Sequence, residues 1–136
     1  MRGEYTHSLD AKGRLFIPAK FREELGFSFV VTKGLGECLA VYPMQEWISF
    51  EEKIKRLPTK KARQLQMFFI AAAQDCEIDG QGRVLISPKL REYAGLSKNV
   101  VIAGMTNYME IWDEDKWNDM SLTPDDIADI MEESGI

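Results

Sequence analysis

The chain of 136 residues is 45% hydrophobic and carries a formal net charge of −5. It has no run of about 18 apolar residues that could span a membrane, and its start shows no signal-peptide pattern, so a cytoplasmic location is expected. Two separated cysteines, Cys38 and Cys76, and a single histidine, His7, make no recognisable zinc site; the cysteines read as small buried apolar residues and His7 as structural or exposed.

The charge is unevenly placed. Residues 110–136 hold ten acidic residues and one base, Lys116, which leaves 16 basic against 12 acidic residues in the remainder, a net of +4. General adhesion to polyanions is therefore not expected, whereas a local basic face is compatible with the sequence.

Along the chain, residues 1–9 read as a strand leading into a turn at Asp10-Ala11-Lys12-Gly13, where Asp caps its own backbone and Gly permits positive φ. The spacing predicts a hairpin with Leu9 and Leu15 on paired strands, Lys12 at the tip and Arg14 at the return. Leu15-Phe16-Ile17 is a short buried strand, and Pro18 opens a helix with Phe21 and Leu25 on one face and Gly26 as its stop. Phe29–Thr32 and Cys38–Tyr42 form a second predicted hairpin. From Pro43 to Leu57, Trp47, Phe50, Ile54 and Leu57 recur at helical spacing, Pro58 ends the run, and Thr59 is placed to cap a helix reaching about Ala72. This helical pair carries Lys53, Lys55, Arg56, Lys60, Lys61 and Arg63 with no acid between them, either a phosphate-facing patch or a solvated face.

The plan then repeats. Gln74–Ile78 is a strand, 79–83 a turn, Val84–Ile86 a strand, Ser87-Pro88 the cap and first residue of a helix to Tyr93, and Asn99–Ala103 and Tyr108–Trp112 a hairpin. Asp113 is placed to cap a short helix containing Trp117. Thr123-Pro124 opens an acidic amphipathic helix whose Ile127, Ile130 and Met131 form a stripe expected to dock on the body or on a sister subunit.

Aligning 10–26 with 79–95 needs no gap and gives eight identities in seventeen positions: Asp10/Asp79, Gly13/Gly82, Arg14/Arg83, Ile17/Ile86, Lys20/Lys89, Arg22/Arg91, Glu23/Glu92 and Gly26/Gly95. The correspondence extends to Trp47/Trp117, so the chain is a tandem repeat. A unit of roughly 45 residues rarely closes a core alone, which predicts two units packed on each other with interleaved strands.

No Ser or Cys has a plausible histidine partner, and no Gly-rich loop matches a phosphate cradle, so an enzyme reading has little support. Asp75-x-Glu77-x-Asp79-Gly80 resembles the start of a calcium loop, but Ile86 occupies the position that needs a bidentate Glu. The doubled turn has two compatible readings. Asp10 with Arg14, and Asp79 with Arg83, can pair simply to hold the turn; or the acid orients an exposed guanidinium that forks onto a guanine edge or a phosphate.

Asp10–Leu25, an Asp-x-x-x-Arg turn followed by three apolar residues and a proline-started helix, resembles the swapped-hairpin fold of AbrB and SpoVT DNA-binding domains. Two such units joined by a helical pair resemble the MraZ family over essentially the whole chain. The resemblance implies an α+β, mainly β fold: a pseudo-twofold swapped-hairpin β-barrel of two tandem AbrB-like units with connecting and C-terminal helices. The expected units are 1–52, a helical connector 53–72, 73–119, and an acidic helix 120–136.

It further implies a non-enzymatic, nucleoid-associated transcriptional regulator. The expected role is repression of its own promoter and of the division and cell-wall gene cluster, by a ring-shaped homo-oligomer on short direct repeats of double-stranded DNA. Arg14 and Arg83, with Lys12 and Gln81, are the expected DNA-contacting residues, and Asp10 and Asp79 the supporting acids. No cofactor, metal or small-molecule substrate is implied. Because Gln81 stands where the first turn has Lys12, the first turn is expected to add more electrostatic affinity. The alternative is a protein interaction or scaffolding module of the same fold, whose acidic tail holds a partner.

Overall fold

In the computed structural model, which describes residues 1–136, the repeated sequence builds repeated elements. In chain order these are β1 (Glu4–Ser8), β2 (Arg14–Phe16), α1 (Ala19–Leu25), β3 (Ser28–Lys33), β4 (Leu39–Pro43), α2 (Met44–Lys55), α3 (Thr59–Leu65) and a π-helical turn (Gln66–Ile70). The second half follows with β5 (Gln74–Glu77), β6 (Arg83–Leu85), α4 (Pro88–Ala94), β7 (Asn99–Gly104), β8 (Met109–Asp113), α5 (Glu114–Asp119) and α6 (Pro124–Ser134).

The strands make a six-stranded antiparallel sheet in the order β1-β7-β8-β4-β3-β5 and a separate two-stranded ribbon, β2-β6. The units interleave: β1 of the first pairs with β7 of the second, and β5 of the second pairs with β3 of the first. Eleven of the 17 residues of the central cluster lie on strands, so the core is mainly β, with Phe21, Leu25, Leu90 and Ala94 contributed by α1 and α4. Leu15, Ile17 and Ile86 are fully buried, and Val84 is nearly so; together they fix the ribbon against the sheet. Burying such side chains contributes roughly 1.5–3 kcal/mol each.

Several expectations change. The turn after β1 does not close a hairpin, because β1 and β2 belong to different sheets and each finds its partner in the other unit. Local turn chemistry allows a hairpin but does not choose the pairing. Nor does the sheet close into a barrel, since β1 and β5 remain its edges. The connector helix does not stay α-helical to Ala72: from Gln66 it widens to a π turn, with the Ala71 N–H donating to the Gln66 carbonyl at 2.9 Å. The wider turn brings Phe68 and Phe69 both inward, Phe69 against Phe50 at 5.2 Å and Phe68 against Tyr93 at 6.0 Å between ring centroids.

Two caps also differ. Thr59 is the first residue of α3 and not its cap, which is Pro58. Asp113 sits at the N-cap of α5, but its carboxylate accepts from the Ser97 N–H and hydroxyl at 3.0 and 2.7 Å. By contrast, Ser87 and Thr123 cap α4 and α6 through their hydroxyls, as the Ser-Pro and Thr-Pro pairs predict. Finally, α6 is exposed along its whole length and packs on nothing in its own chain. Cys38 and Cys76 are buried, as expected.

Candidate nucleic-acid interface

Each repeated turn is built by its aspartate. Asp10 Oδ1 accepts from the backbone N–H groups of Lys12 and Arg14, both at 2.9 Å, and its Oδ2 accepts from Arg14 Nε at 2.6 Å. Asp79 repeats this with Gln81 and Arg83 N–H at 2.9 and 2.8 Å and Arg83 Nε at 2.8 Å. A short acidic side chain is needed because only a carboxylate two bonds from Cα can satisfy the turn N–H groups and a guanidinium together. The Arg14 N–H, opposed by slight desolvation and helped by the Arg14 side chain and the Lys12 N–H, holds Asp10 below the usual carboxylate range. Arg83 and Gln81 do the same for Asp79.

Gly13 and Gly82 close the turns at φ 83° and 80°, and both are buried. Beyond them the ribbon pairs Arg14 with Leu85, Leu15 with Val84, and Phe16 with Arg83. Alternation then sorts the side chains. Leu15 and Val84 face the core, while Arg14, Phe16, Arg83 and Leu85 share the outer face. Phe16 and Leu85 are about half exposed, at 44% and 54%.

The two arginines are not equivalent. Arg14 retains 32% of its side-chain exposure against 19% for Arg83. Arg83 lies 6.0 Å from the Phe16 ring, and its Nη1 is 4.0 Å from Asp10 Oδ2, so the second arginine also touches the first turn. Repetition explains the difference: the register that sets Phe16 beside Arg83 sets Leu85, which has no π face, beside Arg14.

Asp10, Arg14, Asp79 and Arg83 thus form one cluster, with Lys12 and Gln81 exposed beside it. The basic residues Lys53, Lys55, Arg56, Lys60, Lys61 and Arg63 are all exposed, but they lie on α2, its C-terminal end and α3, and none bonds to a turn residue. Lys55 pairs with Glu52 at 3.3 Å. Sequence reasoning missed Phe16 and Leu85 as members of the outer face. It also missed Arg22 and Arg91, whose Nε atoms donate to the Ile17 and Ile86 carbonyls at 2.9 and 3.0 Å and whose guanidinium groups cover Gly82 and Gly13 of the opposite unit. Their identity in the repeat alignment was the available signal. No helix is long and apolar enough to cross a membrane.

The outer ribbon face therefore presents two oriented arginines, a lysine, a glutamine and two apolar side chains, a set suited to base edges and phosphates. Comparison with known proteins agrees with the repeat. A family model described as "MraZ protein, putative antitoxin-like" matches twice, over residues 1–68 and 69–128. The transcriptional regulator MraZ of Lachnoclostridium phytofermentans is 52% identical over 136 residues, covering 98% of this chain and 96% of that protein. Its counterpart in Caldicellulosiruptor bescii is 51% identical over 140 residues, 98% of each chain. The protein of that name in Carboxydothermus hydrogenoformans is 57% identical over 118 residues, 85% of this chain and 82% of the other. With both halves matched and half of all positions identical to relatives of the same length, the chain belongs to the MraZ family.

Proposed function

We propose that this chain is a sequence-specific, DNA-binding transcriptional regulator that offers the outer face of the β2–β6 ribbon to the major groove. The observation that carries the reading is the pair of Asp–Arg turns on one two-stranded ribbon. Each aspartate takes the Nε of its arginine, which leaves the two terminal guanidinium nitrogens of Arg14 to fork onto a guanine edge, while Arg83 shares one of its own with Asp10. A groove that admits a two-stranded ribbon fits this shape. The relatives carry the name transcriptional regulator, and nothing in the site calls for catalysis, so the role is regulatory and not enzymatic.

The interleaving of β1 with β7 and β5 with β3 supports the swapped-hairpin reading, in which units 1–52 and 73–119 each supply half of the ribbon. One ribbon is small. A good bidentate contact discriminates by about 1–3 kcal/mol, so several copies joined in a ring and bound to successive short direct repeats supply the remaining affinity. Repression of its own promoter and of the division and cell-wall gene cluster is the role the family resemblance implies, with the protein cytoplasmic and nucleoid-associated. Lys12 strengthens the first turn; the patch from Lys53 to Arg63 offers further phosphate contacts, and the acidic α6 faces away from DNA.

The test is a gel shift with DNA from immediately upstream of the gene, alongside mass by light scattering. Retardation of that duplex at protein concentrations that leave scrambled DNA free, by an assembly of several chains, is expected. Equal affinity for scrambled and upstream DNA would remove the sequence-specific reading. The exposed stripe of α6 favours a second role in protein contact. A partner retained only when residues 110–136 are present, with no DNA shift, would make that role primary.

A further inference from the structure

Helix α6 carries Ile127, Ile130 and Met131 on one side, exposed at 39%, 56% and 43%. Their i, i+3, i+4 spacing places them on one stripe, with Asp126 and Glu133 along its edge and Asp125, Asp129 and Glu132 behind. In the repeat, α6 stands where α3 stands in the first unit: each follows a short link after the tryptophan-bearing helix, α2 or α5. Unlike α3, which runs into the π turn and covers Phe50 through Phe69, α6 is exposed along its whole length.

The first unit carries a surface of the opposite character. Between α2 and the α3–π segment runs an open groove of about 340 Å³, lined by Ile54, Met67 and Ile70 with two bases, Lys55 and Arg63, against one acid, Glu51. Met67 is 63% exposed there. Lys53, Arg56, Lys60 and Lys61 extend the basic rim over the neighbouring surface.

We infer that α6 of one copy docks in the α2–α3 groove of a second copy of this chain, its apolar stripe on Ile54, Met67 and Ile70 and its acids against Lys55 and Arg63. Charge complementarity selects the occupant. Asp126 and Glu133 edge the stripe as Lys55 and Arg63 edge the groove, and the 110–136 segment, with ten acids to one base, meets its complement in the 53–63 stretch, which holds six bases and no acid. Helix and groove are different patches, so the contact is head-to-tail and repeats from copy to copy, closing into a ring where the rotation allows. The inference deepens the assembly part of the reading above; it reserves Lys55 and Arg63 for the neighbouring copy, leaves Lys53, Arg56, Lys60 and Lys61 to phosphate, and does not touch the ribbon's role on DNA.

Two charge-reversed proteins test it: Asp126→Lys with Glu133→Lys on the helix, and Lys55→Glu with Arg63→Glu on the groove. All four positions are exposed, so folding is retained and is checked by circular dichroism. Light scattering of the full chain at micromolar concentration is expected to show each pair falling from the assembled mass toward the single-chain 15.6 kDa, and the quadruple variant regaining assembly. Undiminished mass in either pair, or no recovery in the quadruple variant, overturns the docking. A wild-type chain of single mass whose Met67 is shielded from oxidation only while α6 is present would place α6 on its own groove and also overturn the two-copy contact. A full-mass assembly that fails to shift DNA removes the DNA reading and leaves this contact standing.

Discussion

The guanidinium of Arg91 lies over Gly13 so closely that a Cβ built on that glycine would sit 2.7 Å from the arginine Cζ. Arg22 covers Gly82 in the same way, so each unit's helix arginine clamps the other unit's turn. Gly13→Ala and Gly82→Ala then face two costs, a left-handed φ and displacement of the clamp. Each is expected to lower unfolding free energy by about 1–2 kcal/mol from the backbone alone. Denaturant midpoints measure this, and a wild-type midpoint for both variants would show that the clamp is slack.

The same contact predicts how Arg22 and Arg91 behave. Lysine keeps the charge but cannot reproduce the Nε–H bond to the Ile17 or Ile86 carbonyl while covering the glycine. Arg22→Lys with Arg91→Lys is therefore expected to cost about 1 kcal/mol per lost hydrogen bond. Amide exchange at the N–H groups of Gly13 and Gly82 should quicken. Unchanged exchange in a folded variant would show that the aspartates hold the turns alone.

Asp10 and Asp79 give the turns an acid limit. Their carboxyls are held below the usual range by the turn N–H groups and the arginines, so both bind fewer protons folded than unfolded. The stability they contribute is present above the ordinary carboxylate pKa of about 3.9 and is lost as pH falls through the lower folded value. Asp10→Asn with Asp79→Asn should show a shallower loss of thermal midpoint between pH 4 and 2 than the wild type. Parallel acid limbs for the two proteins would mean that other carboxylates govern the acid response.

Cys38 and Cys76 offer a check on the core. Burial, helped by the Glu110 charge, pushes the Cys38 thiol up to about 12; burial pushes Cys76 up to about 11. Reaction with a disulfide reagent at pH 8 should therefore follow global unfolding, with no fast phase in the native protein. A thiol that titrates at once would place a cysteine at the surface.

Much of this was legible in the sequence, because the code involved is local. Asp10 and Asp79 build their turns from neighbours two and four residues on, and Ser87 and Thr123 cap the helices they immediately precede. The duplication also implied that the units share a core. What stayed hidden depends on distant partners. Leu9 and Leu15 flank a turn that could close a hairpin, yet β1 finds β7 and β2 finds β6, about 70–95 residues away in sequence. The stretch from Thr59 to Ala72 reads as one helix, but turning both Phe68 and Phe69 inward needed a π turn that periodicity does not announce. That the two turns are unequal in charge is plain from Lys12 and Gln81; that their arginines differ in exposure is not. The structure adds Phe16, which sits beside Arg83 only because the ribbon is antiparallel.

The most direct test of the proposed role compares Arg14→Ala with Arg83→Ala on upstream DNA, with assembly mass measured in the same samples. Arg14 is the more exposed arginine and stands beside Lys12; Arg83 is partly spent on Asp10 and Phe16. The account predicts that Arg14→Ala abolishes the specific shift at unchanged mass and that Arg83→Ala weakens it. Wild-type binding by an assembled Arg14→Ala protein would contradict it.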